Sequence, residues 1–229
     1  MQHYLTPDET EALLLSLRIS LVAVAGALPF ALAAALLLAR RRFYGRALLD
    51  AIVHLPLVLP PVAIGFLLLL LLGTRAGLGA FLLTHFGIRF VFHWTGAALA
   101  AGLITFPFQV RAIRLALESA DAGLGEAAQS LGAGWFDRLV SIALPLALPG
   151  LIAGASTAFA ASLGEFGAII TFVSNIPGET RTLPLAIYTA LQTPGGEAEA
   201  TRLSMLSILL ALIFMSLAGW ATRRARHEH

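Results

Sequence analysis

Glu126-Ala127-Ala128-Gln129-Ser130-Leu131-Gly132, then nine intervening residues, then Ile142-Ala143-Leu144-Pro145, is the stretch that decides how this chain folds. It reads E-A-A-x3-G-x9-I-x-L-P and lies between two apolar runs. Ala116 to Leu131 is rich in helix formers, and Asp121 and Glu126 give the segment a wet face. Gly132 and Gly134 follow, residues suited to end a helix at positive φ. Trp135 and Phe136 then stand where amphipathic rings favour a membrane–water boundary. The pattern predicts a short polar-faced helix within a surface loop at about 118–138, feeding into an apolar helix. An ordinary helical loop would share the alanines and leucines. The glutamate, the glycine and the proline at fixed offsets are more specific.

The composition around this stretch is that of a chain dissolved in lipid. Hydrophobic residues make up 58% and charged residues 12%, with a mean hydropathy of +0.84. Soluble domains carry about 25% charged residues. There is no cysteine, which excludes a disulfide framework and a thiolate metal site. All 15 basic residues are arginine. A Walker A loop needs its lysine at the phosphates, so any use of ATP falls to a partner. The arginines gather at the ends of apolar runs, which suits a membrane surface and not a nucleic-acid face. The histidines are scattered apart from His227 and His229 at the tail. Neither H-E-x-x-H nor G-x-S-x-G occurs, so no metal, cofactor or catalytic residue is expected.

A spanning helix needs ~20 apolar residues to cross ~30 Å of hydrocarbon. Five runs qualify, at about 12–39, 48–72, 95–117, 139–163 and 203–221, within one all-α membrane domain covering 1–229. Thr6-Pro7-Asp8-Glu9 supplies the first with an N-cap, a first-turn proline and acids at the positive dipole end. The same acids argue against a cleavable signal. Pro56, Pro60 and Pro61 interrupt the second run and predict a kink. Between 164 and 196 the apolar pieces are short, and Asn175-Ile176-Pro177-Gly178 is a turn signal. That region is expected to be partly re-entrant or interfacial on the outer side. A sixth span there is the weaker alternative.

Arginine bias sets the orientation. With an external N-terminus, Arg40, Arg41, Arg42, Arg46, Arg111, Arg114, Arg138, Arg223, Arg224 and Arg226 fall near the cytoplasm. Arg75, Arg89, Arg181 and Arg202 fall outside. The 118–138 loop is then cytoplasmic, and five spans put the C-terminus there too.

The E-A-A stretch resembles the EAA loop of bacterial type I ABC-importer permeases. Leu55-Pro56-Leu57-Val58-Leu59-Pro60-Pro61-Val62 and Ser162-Leu163-Gly164-Glu165-Phe166-Gly167-Ala168 are similar to the molybdate and sulfate permeases of that family. Phe172 to Pro184, with Gln192-Thr193-Pro194-Gly195-Gly196, looks most like the molybdate permeases. The resemblance implies a coupling helix docked on an ATPase, carried here by Asp121, Glu126, Ala127, Ala128, Gly132, Leu144 and Pro145. It implies a homodimer with two ATPase subunits and a periplasmic oxyanion-binding protein, in the bacterial inner membrane. It also implies transport by alternating access without chemistry in this chain, along a pathway that draws on Pro60, Pro61, Ser162, Glu165, Thr171 and Asn175. Tungstate or sulfate are alternative substrates. A gradient-driven carrier is the alternative from another class, but it would need coupling-ion sites, and no acidic pair lies within the spans.

Single residues carry two readings each. Glu165 is either a gate or a carboxylate that serves structure at a helix start, and for an anion route the second is favoured. Arg18 either attracts an anion or snorkels to the outer interface. His54 beside the prolines is either a pH-sensitive group or a satisfied histidine near the cytoplasmic end, and the second is favoured. Gly150-Leu151-Ile152-Ala153-Gly154 is a small-residue pattern for close helix approach.

Overall fold

A computed structural model describes residues 6–39, 43–75, 77–119 and 127–227. We number its helices α1 (Pro7–Ala39), α2 (Arg46–Val58), α3 (Pro61–Leu72), α4 (Gly77–Phe86), α5 (Trp94–Glu118), α6 (Trp135–Leu163), α7 (Gly167–Val173), α8 (Leu183–Gln192) and α9 (Glu197–His227). Among the described residues α1, α5, α6 and α9 are long and apolar enough to cross a membrane.

The start of α1 is set by its own sequence. Glu9 N donates to Thr6 Oγ1 at 3.3 Å, and Thr6 N donates back to the Glu9 carboxylate at 2.8 Å. This reciprocal pair satisfies two backbone donors, and Pro7 needs no partner at the first helical position.

The run 48–72 is not one helix. α2 and α3 meet at 111°, far sharper than a proline kink. Leu59 and Pro60 both precede a proline, and both are extended, with ψ of 142° and 133°. A residue before proline is driven out of the α region. Two in succession turn the chain through a corner. The pair is a broken span or a re-entrant loop, so the spanning helices number four, or five with the pair counted as one.

Two main cores are stacked along α1 and α5. One joins Leu15, Ile19 and Ala23 of α1 with Ala97 and Ala101 of α5, Ile64 and Leu68 of α3, and Ile169 and Phe172 of α7. The other joins Ala31, Ala35 and Leu38 of α1 with Val110 and Ile113 of α5, Val53 of α2 and Ala147 of α6. The alanines let the backbones approach closely, which is how helices gain contact where lipid competes equally for apolar side chains. Gly150 and Gly154 do the same for α6 on α5. A Cβ at Gly150 would lie 2.6 Å from Ala112 O, and one at Gly154 would lie 3.0 Å from Gln109 Cα.

The region 164–196 holds two helices of seven and ten residues, both too short to span. α7 packs inside the protein. Ala168, Ile169, Phe172 and Val173 are buried against α3 and α5. A Cβ at Gly65 of α3 would sit 2.6 Å from Ala168 O, so the glycine lets α7 lie directly on α3. Side-chain contacts with distant segments bury α7, which its own composition does not announce.

The starts of α1, α5 and α9 share one end. Glu9 pairs with Arg202 of α9 at 2.8 Å, and the Arg18 guanidinium lies 3.7 Å from the Trp94 ring centre. Arg18 thus stacks on an indole, a contact that stabilises a cation. The end of α1, the start of α2, the end of α5 and the start of α6 share the opposite end.

Candidate functional site

Asp121 and Glu126 lie outside the described residues. Ala127 and Ala128 begin a helical turn over 127–130. Gly132 has φ of +85°. Ala133 N donates to Ala128 O at 2.9 Å, and Gly132 N donates to Gln129 O at 3.1 Å. These two bonds around a left-handed glycine are a Schellman helix stop, which satisfies carbonyls the helix would leave orphaned. Among the described residues a Cβ at Gly132 would meet nothing within 4 Å, so the reason for glycine within this chain is its φ. Gly134 is extended and serves as the N-cap of α6. Arg138 of α6 donates to the Gln129 side chain at 2.9 Å and ties the stop to the next helix.

This corner presents apolar side chains outward. Leu131 is 88% exposed, Trp135 62% and Phe136 69%. The start of α6 is irregular. Leu139–Ala143 forms a π turn, with Leu144 N donating to Leu139 O. Pro145 follows, half-buried like Leu144. A proline inside a helix lacks its N–H and clashes with the carbonyl four residues back. The wider π turn relieves that clash, a known use of such bulges. Pro145 was the available signal for it.

The second group of residues centres on α3 and α7. Pro60 caps α3 and Pro61 is its first residue. A Cβ at Gly167 would lie 3.0 Å from Pro61 Cβ, so the starts of α3 and α7 touch. Glu165, 8% exposed, accepts from Ala168 N at 2.8 Å and caps α7. Thr171 donates to Gly167 O at 2.8 Å and lies beside Gly65. Ser162 is buried and its hydroxyl has no hydrogen-bond partner among the described residues. Asn175 stands apart, past the far end of α7. Its amide donates to Thr189 at 2.8 Å and accepts from Arg181 at 3.1 Å. Ile176 O accepts from Thr180 N and Arg181 N, closing the turn in which Gly178 has φ of +76°.

A charged network at the α6-start end was not foreseen as a unit. Arg114 of α5 donates to Asp50 of α2 at 3.0 Å and to Glu118 at 2.8 Å. Arg46 lies 3.6 Å from the same Glu118 oxygen. His54 Nδ1 sits 2.9 Å from Asp50 O and 3.3 Å from its carboxylate. Asp50 and Arg114 are 64 residues apart in sequence, so no local spacing reveals them. No group of three metal-ligating side chains occurs among the described residues.

Residues 27–227 match the family described as binding-protein-dependent transport system inner membrane component. The chain belongs to this family. It is 56% identical over 224 residues to the molybdenum transport system permease protein ModB of Escherichia coli (strain K12), covering 98% of each chain. It is 50% identical over 220 residues to the protein of the same name from Haemophilus influenzae, covering 96% of each. It is 37% identical over 198 residues to the sulfate transport system permease protein CysT of Salmonella typhimurium, covering 85% of this chain and 71% of that one. Solved structures share the fold at low identity. A bacterial alginate ABC transporter in complex with its periplasmic protein superposes with a TM-score of 0.75 at 20% identity, covering 96% of this chain and 80% of that one. The inward-facing MetNI methionine ABC transporter superposes with a TM-score of 0.73 at 17% identity, covering 94% and 95%. This inner membrane component of a binding-protein-dependent system therefore has its corner at 127–136 and its α3–α7 contact on a transporter scaffold.

Proposed function

We propose that this chain is the permease subunit of an ATP-driven molybdate importer. The observation that carries the reading is the near full-length identity of 56% to a molybdenum permease, against 37% to a sulfate permease. Two copies form the pathway, two ATPase subunits dock in the cytoplasm, and a periplasmic protein delivers the oxyanion. The chain hydrolyses nothing itself. It is a multi-pass protein of the bacterial inner membrane with five spans, α2 and α3 together forming one of them. Its N-terminus is periplasmic and its C-terminus cytoplasmic.

In this reading the loop carrying Asp121, Glu126, Ala127, Ala128 and Gly132 is the coupling helix, and Leu144 and Pro145 shape the helix behind it. Exposed Leu131, Trp135 and Phe136 extend that docking face. Closure of the ATPase pair on ATP draws the two loops together and shifts a two-state equilibrium between inward- and outward-open forms. Pro60, Pro61, Glu165 and Thr171 lie around the α3–α7 contact and Ser162 on the last turn of α6 leading to it, where the pathway is proposed to pass, and Asn175 lies on its outer side.

The test is uptake of radiolabelled molybdate by a permease-deficient strain expressing this chain with its ATPase and binding protein. Uptake should require the ATPase lysine that contacts phosphate and should resist excess sulfate. Uptake that persists with an inactive ATPase would favour a gradient-driven carrier. Displacement of molybdate by equimolar sulfate would assign the chain to a sulfate system.

A further inference from the structure

The two stacked cores share α1 and α5, but α2 belongs to one and α3 to the other. The elbow at Leu59 and Pro60 is their covalent link. α3 has a firm seat on α7, through Gly65 against Ala168 and Pro61 against Gly167. α2 packs on α5 and α1 more lightly, with Val53 its one buried residue. Its first turns are also fastened by charge. Arg114 Nη1 donates to Asp50 Oδ1 at 3.0 Å, and Arg114 Nε donates to Glu118 Oε1 at 2.8 Å. Arg46 Nη2 lies 3.6 Å from that Glu118 oxygen, and Arg46 Nε donates to Leu38 O near the end of α1. Glu118 is the last residue of α5, where the chain leaves for the E-A-A loop.

We propose that Asp50, Arg46, Arg114 and Glu118 form a pin that makes α2 move with the E-A-A loop, so that a loop displacement reaches α3 and α7 through the Pro60–Pro61 elbow. This rests on the reading of that loop as the ATPase-docking element. The four side chains are 24–43% exposed, and ion pairs so placed add little to stability. Their value is registry. The planar guanidinium fork of Arg114 holds two acids on two helices in one orientation, which a flexible point charge would not do. The elbow suits transmission because each proline locks its φ near −65°, leaving fewer torsions to absorb a rotation. Asp50, Arg46, Arg114 and Glu118 are positioning residues, acting on the pathway through α2.

The chain has no cysteine, which allows a direct test in the full complex with its ATPase and binding protein in proteoliposomes. The readout is molybdate moved per ATP hydrolysed. Asp50→Asn and the double variant Asp50→Cys/Arg114→Cys should reach normal abundance, retain the ATPase and hydrolyse ATP. Their transport per ATP should fall on the order of tenfold, the size of a typical inter-site coupling. Bridging the two cysteines with a short, reducible bis-thiosulfonate should restore the ratio, and reductant should abolish it again. Full coupling in the unbridged variants would overturn the proposal. So would arrest of transport by the bridge, because α2 would then have to slide on α5. Failure of Asp50→Asn to accumulate would make the network a folding element, and its loss of the ATPase would make it a docking element; either overturns the pin. If the unmodified chain itself fails to hold the ATPase, the docking reading falls instead.

Discussion

Glu9 and Arg202 stand 193 residues apart and meet at 2.8 Å, joining the first turn of α1 to the first turns of α9. Glu9 also returns to the backbone of Thr6. One buried carboxylate thus caps a helix and pairs with a half-exposed arginine.

These two roles separate by substitution. Glu9→Gln keeps an oxygen that can accept from Thr6 N but loses the charge, whereas Glu9→Ala loses both. Loss of a capping contact costs about 1 kcal/mol. The expected order of thermal stability in detergent is unmodified, then Glu9→Gln, then Glu9→Ala. Arg202→Ala should resemble Glu9→Gln or fall below it, since it leaves the buried carboxylate unpaired. Equal melting temperatures for Glu9→Gln and Glu9→Ala would show that the cap contributes nothing.

Gly132 is held at φ +85° with open space where a Cβ would go. A left-handed conformation costs roughly 1–2 kcal/mol for most residues and less for asparagine. Gly132→Val should therefore distort the helix stop and weaken ATPase co-purification, while Gly132→Asn should largely retain it. Both should reach the membrane at near-normal levels. Gly154→Leu is the contrast, because its side chain would collide with Gln109 of α5, and it should lower abundance instead. Loss of binding in Gly132→Asn as severe as in Gly132→Val would mean that φ is not the reason for glycine.

Glu165 accepts from Ala168 N at 2.8 Å inside the protein. Glu165→Gln preserves an acceptor, so uptake and abundance should stay close to those of the unmodified chain. Glu165→Leu leaves a buried N–H without a partner, at a cost of roughly 1–3 kcal/mol, and should lower thermal stability. Collapse of uptake in Glu165→Gln at normal abundance would show instead that its charge serves the pathway.

Orientation is open to single-cysteine labelling. A membrane-impermeant thiol reagent applied to spheroplasts should modify Thr6→Cys and Gly195→Cys. It should spare Gln129→Cys and His227→Cys until the membrane is opened. Labelling of Thr6→Cys and His227→Cys from the same side would refute the proposed topology.

Much of the skeleton was legible in the sequence because its causes are local. Thr6-Pro7-Asp8-Glu9 starts α1 through contacts within three residues, and Gly132 ends a helix through its own φ. Apolar runs long enough for a bilayer announce α1, α5, α6 and α9, since lipid leaves the backbone no other partner. Pro60 and Pro61 mark where α2 must stop. Tertiary structure decided what local rules cannot reach. The prolines forbid a continuous helix, but packing of α3 on α7 and of α2 on α5 accompanies the 111° corner. The short apolar run of α7 looks the same at a surface or in a core, and packing against Gly65 and its neighbours on α3 and against α5 buries it. Asp50 with Arg114, and Glu9 with Arg202, pair across distances in sequence that no periodicity encodes. Caps, turns and spans follow from forces acting within a few residues. Pairings between helices follow from which surfaces fit once those helices exist.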